Sequence, residues 1–310
     1  MRIDIHTHFF PHEYLAELKR LDISMEQRLD ARFTSLEART KDMKRCGIDK
    51  QVLSITVPGV DVTTPEDSVR LAKIVNDALA HTVEGSDRFL ALASLPMTSP
   101  GDALDELDRA INTLGLKGAG IYSNVNGKPL DMPEFWPIYE KAARMRVPVF
   151  IHPAAPAHRE IFQDYGLISV LGFPFDTTLA ATRLALSGLM ERYQDLMIVL
   201  AHVGGVLPFI LGRIDDGHRM FPVARKNISR PPSEYLKAMN LDTVSFYEPA
   251  LTCAYKSWDS GKLLLGSDYP YDWVGDLERC ITNIESLHLN DSEKEKIMHG
   301  NAEQLLRIES

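Results

Sequence analysis

Apolar positions in this chain fall into short continuous runs, separated by longer stretches where they recur every three or four residues. That is the beat of buried strands alternating with amphipathic helices. The first run, Met1-Arg2-Ile3-Asp4-Ile5-His6-Thr7-His8, predicts a strand. Strict alternation would put Ile3 and Ile5 on one face and Asp4, His6 and His8 on the other. Asp4 would then lie below His6, either orienting it or satisfying a buried backbone group. A charged, irregular segment follows from Phe9 to about Ser35. Connections of that length are uncommon, and either close over a ligand or are solvated insertions.

From Leu36 the alternation is regular. Strands are expected at Gln51–Thr56, Phe89–Ser94, Gly118–Tyr122, Val147–His152, Met197–His202, Leu241–Val244 and Lys262–Asp268. Helices are expected at Leu36–Cys46, Pro65–Val83, Pro100–Leu114, Pro133–Met145, Phe175–Tyr193, Val206–Met220, Pro249–Ser257, Leu277–Ser286 and Ser292–Ile308. Gly47 closes the first of these as a C-terminal glycine does. The strand runs lack strict polar alternation, which implies a parallel sheet buried on both faces. The expected fold is an α/β (β/α)8 TIM barrel with a long first βα loop, one domain over residues 1–310. A doubly wound open sheet is the alternative, but no Gly-rich phosphate loop follows an early strand.

Barrel chemistry sits at the C-terminal ends of the strands, and the residues there share a character. The first strand ends in His6 and His8, the fifth in His152, the sixth in His202 and the eighth in Asp268. Neutral imidazoles and a carboxylate are ligands for zinc and similar divalent ions. His6, His8, His152 and Asp268 suffice for one such ion. His202, in Leu200-Ala-His-Val-Gly-Gly205, need not bind it and suits a general acid or base, or else packs under the glycine turn. Gly204 and Gly205 fit either a ligand's close approach or a tight strand-to-helix turn.

Composition narrows the partners. A formal net charge of −9 argues against nucleic acid or an anionic membrane and for a small molecule. Cys46, Cys253 and Cys280 form no Cys-x-x-Cys pair, so neither a disulfide framework nor a thiolate metal site is indicated, and a cytoplasmic location is expected. No secretory leader is expected, because Asp4, His6 and His8 interrupt the first apolar run. The longest apolar stretch, from Ile198 to Gly212, is broken by His202, two glycines and Pro208 and is too short to span a bilayer. Phe9, Phe173, Phe175, Tyr269 and Trp273 near the rim would suit a flat apolar substrate or simply pack.

The chain resembles the amidohydrolase superfamily, in the branch of aminocarboxymuconate semialdehyde decarboxylase and the γ-resorcylate and 6-methylsalicylate decarboxylases. The likeness rests on Ile3-Asp-Ile-His-Thr-His8, Leu95-Pro-Met97, Ile151-His-Pro153, Ser187-Gly188, Ala201-His-Val-Gly-Gly205 with Pro208 and Arg213, Leu265-Gly-Ser-Asp-Tyr-Pro270 and Gly300-Asn-Ala302. It implies His6, His8, His152 and Asp268 as ligands of one ion, zinc first and manganese as the alternative, with His202 as the catalytic histidine and a homodimer as the assembly. Two-metal members carry a bridging lysine at the end of strand four, where this chain has Tyr122, with Lys117 before the strand; that departure favours one metal. The resemblance further implies an arginine for a substrate carboxylate, for which Arg32 is the candidate, with Arg28 or Arg39 as substitutes.

The expected reaction is a metal-dependent, non-oxidative decarboxylation of a small aromatic or unsaturated carboxylic acid, with His202 or Asp268 supplying the proton that the ring or enamine carbon needs. A lactone or amide hydrolase using the same five residues is the competing expectation. A barrel that binds metal without catalysis is a third.

Overall fold

The computed structural model describes residues 1–25, 29–245, 247–271 and 277–308. Its strands are β1 (Ile3–His8), β2 (Lys50–Ser54), β3 (Phe89–Ala91), β4 (Ala93–Ser94), β5 (Ala119–Tyr122), β6 (Asn124–Val125), β7 (Lys128–Pro129), β8 (Val149–His152), β9 (Ile198–Leu200), β10 (Asn240–Asp242) and β11 (Leu263–Leu264). β6 and β7 form a small antiparallel hairpin that the sequence pattern did not suggest; the other pairings are parallel. They run β1-β2-β3 and β11-β10-β9-β8-β5-β4.

Two observations join these ladders into an eight-stranded barrel. β3 and β4 are halves of the strand expected at 89–94, parted at Leu92, so Ala91 pairs with Leu53 on one side and Ala93 with Ala119 on the other. At the opposite seam the chain beyond β11 bonds back to β1, through Ile5 N to Leu265 O (2.9 Å), Asp268 N to His6 O (2.9 Å) and His8 N to Tyr269 O (2.8 Å).

The strand side chains divide with a period of two. Leu53, Ile151, Leu200, Leu241 and Leu263 join the cluster that packs on the surrounding helices. Their neighbours Val52, Phe150, Val199 and Leu264 join a second cluster with Ile3, Ile5 and Leu92, capped by Ala302, Leu305 and Leu306 of the C-terminal helix. That second cluster fills one end of the barrel interior.

β1 departs from the alternation expected of it. Asp4 pairs with Gln51 but Thr7 pairs with Leu53, so Ile5 and His6 together face one partner residue, a bulge. Ile3 and Ile5 therefore share the interior with His6 and His8, whereas Asp4 turns outward. Asp4 accepts bonds from Ser267 Oγ (2.6 Å), Ser267 N (3.1 Å) and His6 N (3.3 Å). It does not sit below His6 as the sequence pattern implied, and satisfies backbone groups instead. Burial pushes its carboxyl up to about 6 against the lowering effect of these bonds.

The helices lie close to their expected bounds, Leu36–Cys46 and Pro65–Val83 matching them. The run expected at Phe175–Tyr193 divides into Phe173–Leu186 and Leu189–Arg192 at Gly188, whose φ of 88° suits glycine. The long first loop contains a helix, His12–Arg20, and a single helical turn, Ala31–Phe33. Among the described residues no helix is long and apolar enough to cross a membrane.

Candidate metal centre and adjoining cavity

Each of the five side chains singled out by the sequence leaves the end of a barrel strand, and the structure brings all five together. One ligand atom from each of His6, His152, His202 and Asp268 lies within 4.8 Å of the others. His8 joins them through Nε2, which is 3.1 Å from His6 Nε2 and 2.8 Å from Asp268 Oδ1. The His8 and His152 ring centroids are 4.8 Å apart. His202 belongs to that same group, its Nε2 3.5 Å from Asp268 Oδ2.

The second nitrogen of each ring shows which lone pairs face the centre. His6 Nδ1 donates to Asp242 Oδ2 at 2.6 Å, and His152 Nδ1 donates to Pro153 O at 2.9 Å. These bonds orient both rings with Nε2 turned inward. His6 Nε2 and His8 Nε2 lie 3.1 Å apart, with Asp268 Oδ1 3.2 Å from the first and 2.8 Å from the second, a convergence of lone pairs that a cation between them would satisfy. The donor set, imidazole nitrogens with one carboxylate, suits a divalent transition metal.

The electrostatics agree. Burial alone would lower His6, but the Asp268 charge and the bonds to Asp242 and Asp268 overrule it and raise the ring to about 10. Burial holds His8 down at about 4, and burial with the neighbouring His8 and His6 charges drives His152 well below its ordinary value. Burial opposes ionisation of Asp268, yet the His6 charge and bonds from His202, His6 and His8 keep it well below the usual carboxylate range. The carboxylate charge kept at the centre by Asp268 favours a cation there.

Asp242 is the residue that the sequence pattern did not single out. It ends β10, the weakest of the expected strands, and besides His6 it accepts from His202 N (3.0 Å), Val203 N (2.9 Å) and Val244 N (3.0 Å). It orients His6 and anchors the backbone that carries His202. His202, Val203 and Asp268 have positive φ (54°, 57° and 61°), strain of the kind that collects where side chains must be aimed. Gly204 and Gly205 resolve as a tight turn: a Cβ on Gly205 would lie 2.1 Å from Pro174 O, so the close approach is by the protein's own backbone.

The arginine candidates separate. Arg32 places its guanidinium on Asp30, with Nη2 to Oδ2 at 2.5 Å. Arg39 is fully buried, stacked 4.8 Å from the Tyr269 ring centroid and donating to His8 O at 2.6 Å; it braces the strand carrying the histidines. Arg28 lies outside the described residues, as does Trp273. Of the other aromatic candidates, Phe9 and Tyr269 are core residues and Phe175 is exposed, whereas Phe173 lies 6.5 Å from His152, ring to ring.

A cavity of about 440 Å³ adjoins the cluster, with Val57, Pro58, Val62, Met97, Tyr122 and Phe173 in its wall. Tyr122 and Phe173 lie beside the His152 ring, at 6.2 and 6.5 Å between ring centroids, so this wall of the cavity neighbours the metal-binding groups. The Tyr122 hydroxyl has no hydrogen-bond partner among the described residues.

Comparison with known proteins places this geometry. The family described as Amidohydrolase matches residues 3–308. The 2-amino-3-carboxymuconate-6-semialdehyde decarboxylase of Dictyostelium discoideum is 32% identical over all of this chain and 92% of its own. The crystal structure of 5-carboxyvanillate decarboxylase from Sphingomonas paucimobilis superposes with a TM-score of 0.91 at 28% identity, covering 99% of both chains. A dihydroxybenzoic acid decarboxylase from Polaromonas sp., solved with manganese and the inhibitor 2-nitroresorcinol, superposes with a TM-score of 0.87 at 26% identity, over 99% of this chain and 97% of its own.

Proposed function

The chain belongs to the amidohydrolase family, and on that premise we propose that it is a metal-dependent, non-oxidative decarboxylase of a small aromatic or unsaturated carboxylic acid. The observation that carries this reading is the convergence of His6, His8, His152, His202 and Asp268 beside an apolar-walled cavity. The decarboxylase activities named for all three relatives support it.

His6, His8, His152 and Asp268 would hold one divalent ion. When bound it supplies Lewis-acid withdrawal of charge and a fixed orientation for the substrate carboxylate. The ion is zinc or manganese: a nitrogen-rich donor set suits zinc, and the manganese in the Polaromonas enzyme supports the alternative. Elemental analysis of purified protein decides between them.

His202 is the acid. As the bond to the carboxylate carbon breaks, its electron pair must be taken up by a proton at the ring or enamine carbon while carbon dioxide leaves. His202 delivers that proton from Nε2, and Asp268, 3.5 Å away, relays its replacement. Phe173 and Tyr122 flank His152, and with Val57 and Pro58 they keep bulk water from the reacting carbon. Arg32 would serve the substrate carboxylate only by exchanging Asp30 for it.

Homodimerisation and a cytoplasmic setting complete the proposal. Phe209, Met220, Phe221 and Val223 expose apolar side chains on the helix Leu207–Met220 and the turn after it, a surface suited to a second copy. Among the described residues Cys46, Cys253 and Cys280 form no disulfide with one another, which is compatible with a reducing compartment. The deciding experiment is product analysis with metal-loaded protein and a panel of hydroxybenzoic and unsaturated acids. Carbon dioxide release supports the proposal. Opening of a lactone or cleavage of an amide with no loss of carbon would sink it in favour of a hydrolase.

A further inference from the structure

We propose that Asp176 is a positioning residue for His152: it clasps the turn that carries this ligand and so sets how tightly the centre holds its metal. The proposal rests on the metal-dependent reading and adds to it a residue that touches none of the five site side chains. β5 and β8 run parallel with Tyr122 opposite His152, and their ladder ends with Ser123 N donating to His152 O at 2.8 Å. Past that point the chain leaves the sheet. In a continued ladder Ala154 N would meet the Ser123 carbonyl; it donates to Ser123 Oγ instead, at 2.8 Å. Side chains take over where the backbone pairing stops.

Asp176 gathers those side chains. From the first turn of the helix Phe173–Leu186, its Oδ2 accepts from Ser123 Oγ and from Asn124 Nδ2, the latter at 2.8 Å. Asn124 Nδ2 also donates to Ala155 O at 3.0 Å. His152 O, Ala154 N and Ala155 O are therefore fastened on both sides of Pro153 O, the atom that lies 2.9 Å from His152 Nδ1 and orients the ring. An acid in the first turn of a helix commonly does no more than complement the helix dipole. Asp176 is different because it is buried and no Lys or Arg pairs with it among the described residues. Burial raises its carboxyl, and the bonds from Ser123 and Asn124 pull it back. A buried carboxylate without a cation costs free energy that a neutral acceptor would avoid. What its charge adds is stronger bonds to the two donors that hold the turn.

The test is manganese affinity, measured with the metal alone by competition against a chelator, with denaturant unfolding in parallel. The variants are Asp176→Ala, Asp176→Asn and Ser123→Ala, with Leu264→Ala as a control that weakens the fold and leaves the turn alone. Asp176→Ala should weaken manganese binding by about 10- to 100-fold and Ser123→Ala by about tenfold. Asp176→Asn keeps an oxygen for both donors and should recover most of the loss, while folded Leu264→Ala should bind within about twofold of the unaltered protein. If Asp176→Ala does not fold, Ser123→Ala, which removes a single hydroxyl, carries the same test. Unchanged affinity in the folded Asp176 and Ser123 variants, or an equal loss in Leu264→Ala, makes the clasp a structural tie only and overturns the proposal. Failure of the underlying reading looks different: the unaltered protein itself binds no manganese, which removes both.

Discussion

The barrel interior has two halves built from the same strands, and they are made for opposite ends. Toward the N-terminal ends, Ile3, Ile5, Val52, Leu92, Phe150, Val199 and Leu264 form an apolar plug closed by the C-terminal helix. At the C-terminal ends, one further step along those strands, sit His6, His8, His152, Asp242 and Asp268, all buried. Buried apolar side chains stabilise the fold wherever they are, at roughly 25 cal/mol per Å² removed from water. Buried imidazoles and carboxylates cost free energy unless paired, and a bound cation would pair this set. One half is the foundation, the other a site that its own chain leaves electrostatically incomplete. Phe150 joins the halves, its ring centroid 5.1 Å from that of His6.

Substitutions that touch one half alone should separate the two roles. The largest effect is expected for His202→Asn, which should lower kcat by about 10²- to 10⁴-fold with bound metal and melting temperature unchanged; loss of the metal would instead make His202 a ligand. Leu264→Ala, in the plug, should destabilise folding by about 2–5 kcal/mol while folded molecules retain their metal and most of their activity. Denaturant unfolding with parallel activity assays checks this, and full stability with lost activity would deny the division. Asp242→Asn should cost about 10- to 100-fold in metal affinity, because an amide cannot hold the His6 Nδ1 proton as the carboxylate does. An unchanged affinity would mean that the bulge alone aims His6.

Much of this division is legible in the amino-acid order. Strand ends announced His6, His8, His152, His202 and Asp268 because a run of apolar residues stopped at each, and the structure gathers all five. Asp242 escaped because β10 has three residues, two of them polar, and so lacks the apolar signature of its neighbours. The β1 bulge left no mark either: one extra residue turns Asp4 outward without altering composition or period. Arg32 lies in a loop whose course is set by tertiary contacts, so no local pattern revealed that Asp30 holds it.

The polar half of the interior is built to be completed by one divalent ion. Elemental analysis of purified protein and of His152→Ala, each dialysed after loading with zinc or manganese, tests it most directly. One ion per chain is expected in the unaltered protein and a large loss of it in the variant, with both still folded. No bound ion, two ions per chain, or full retention by His152→Ala would contradict it.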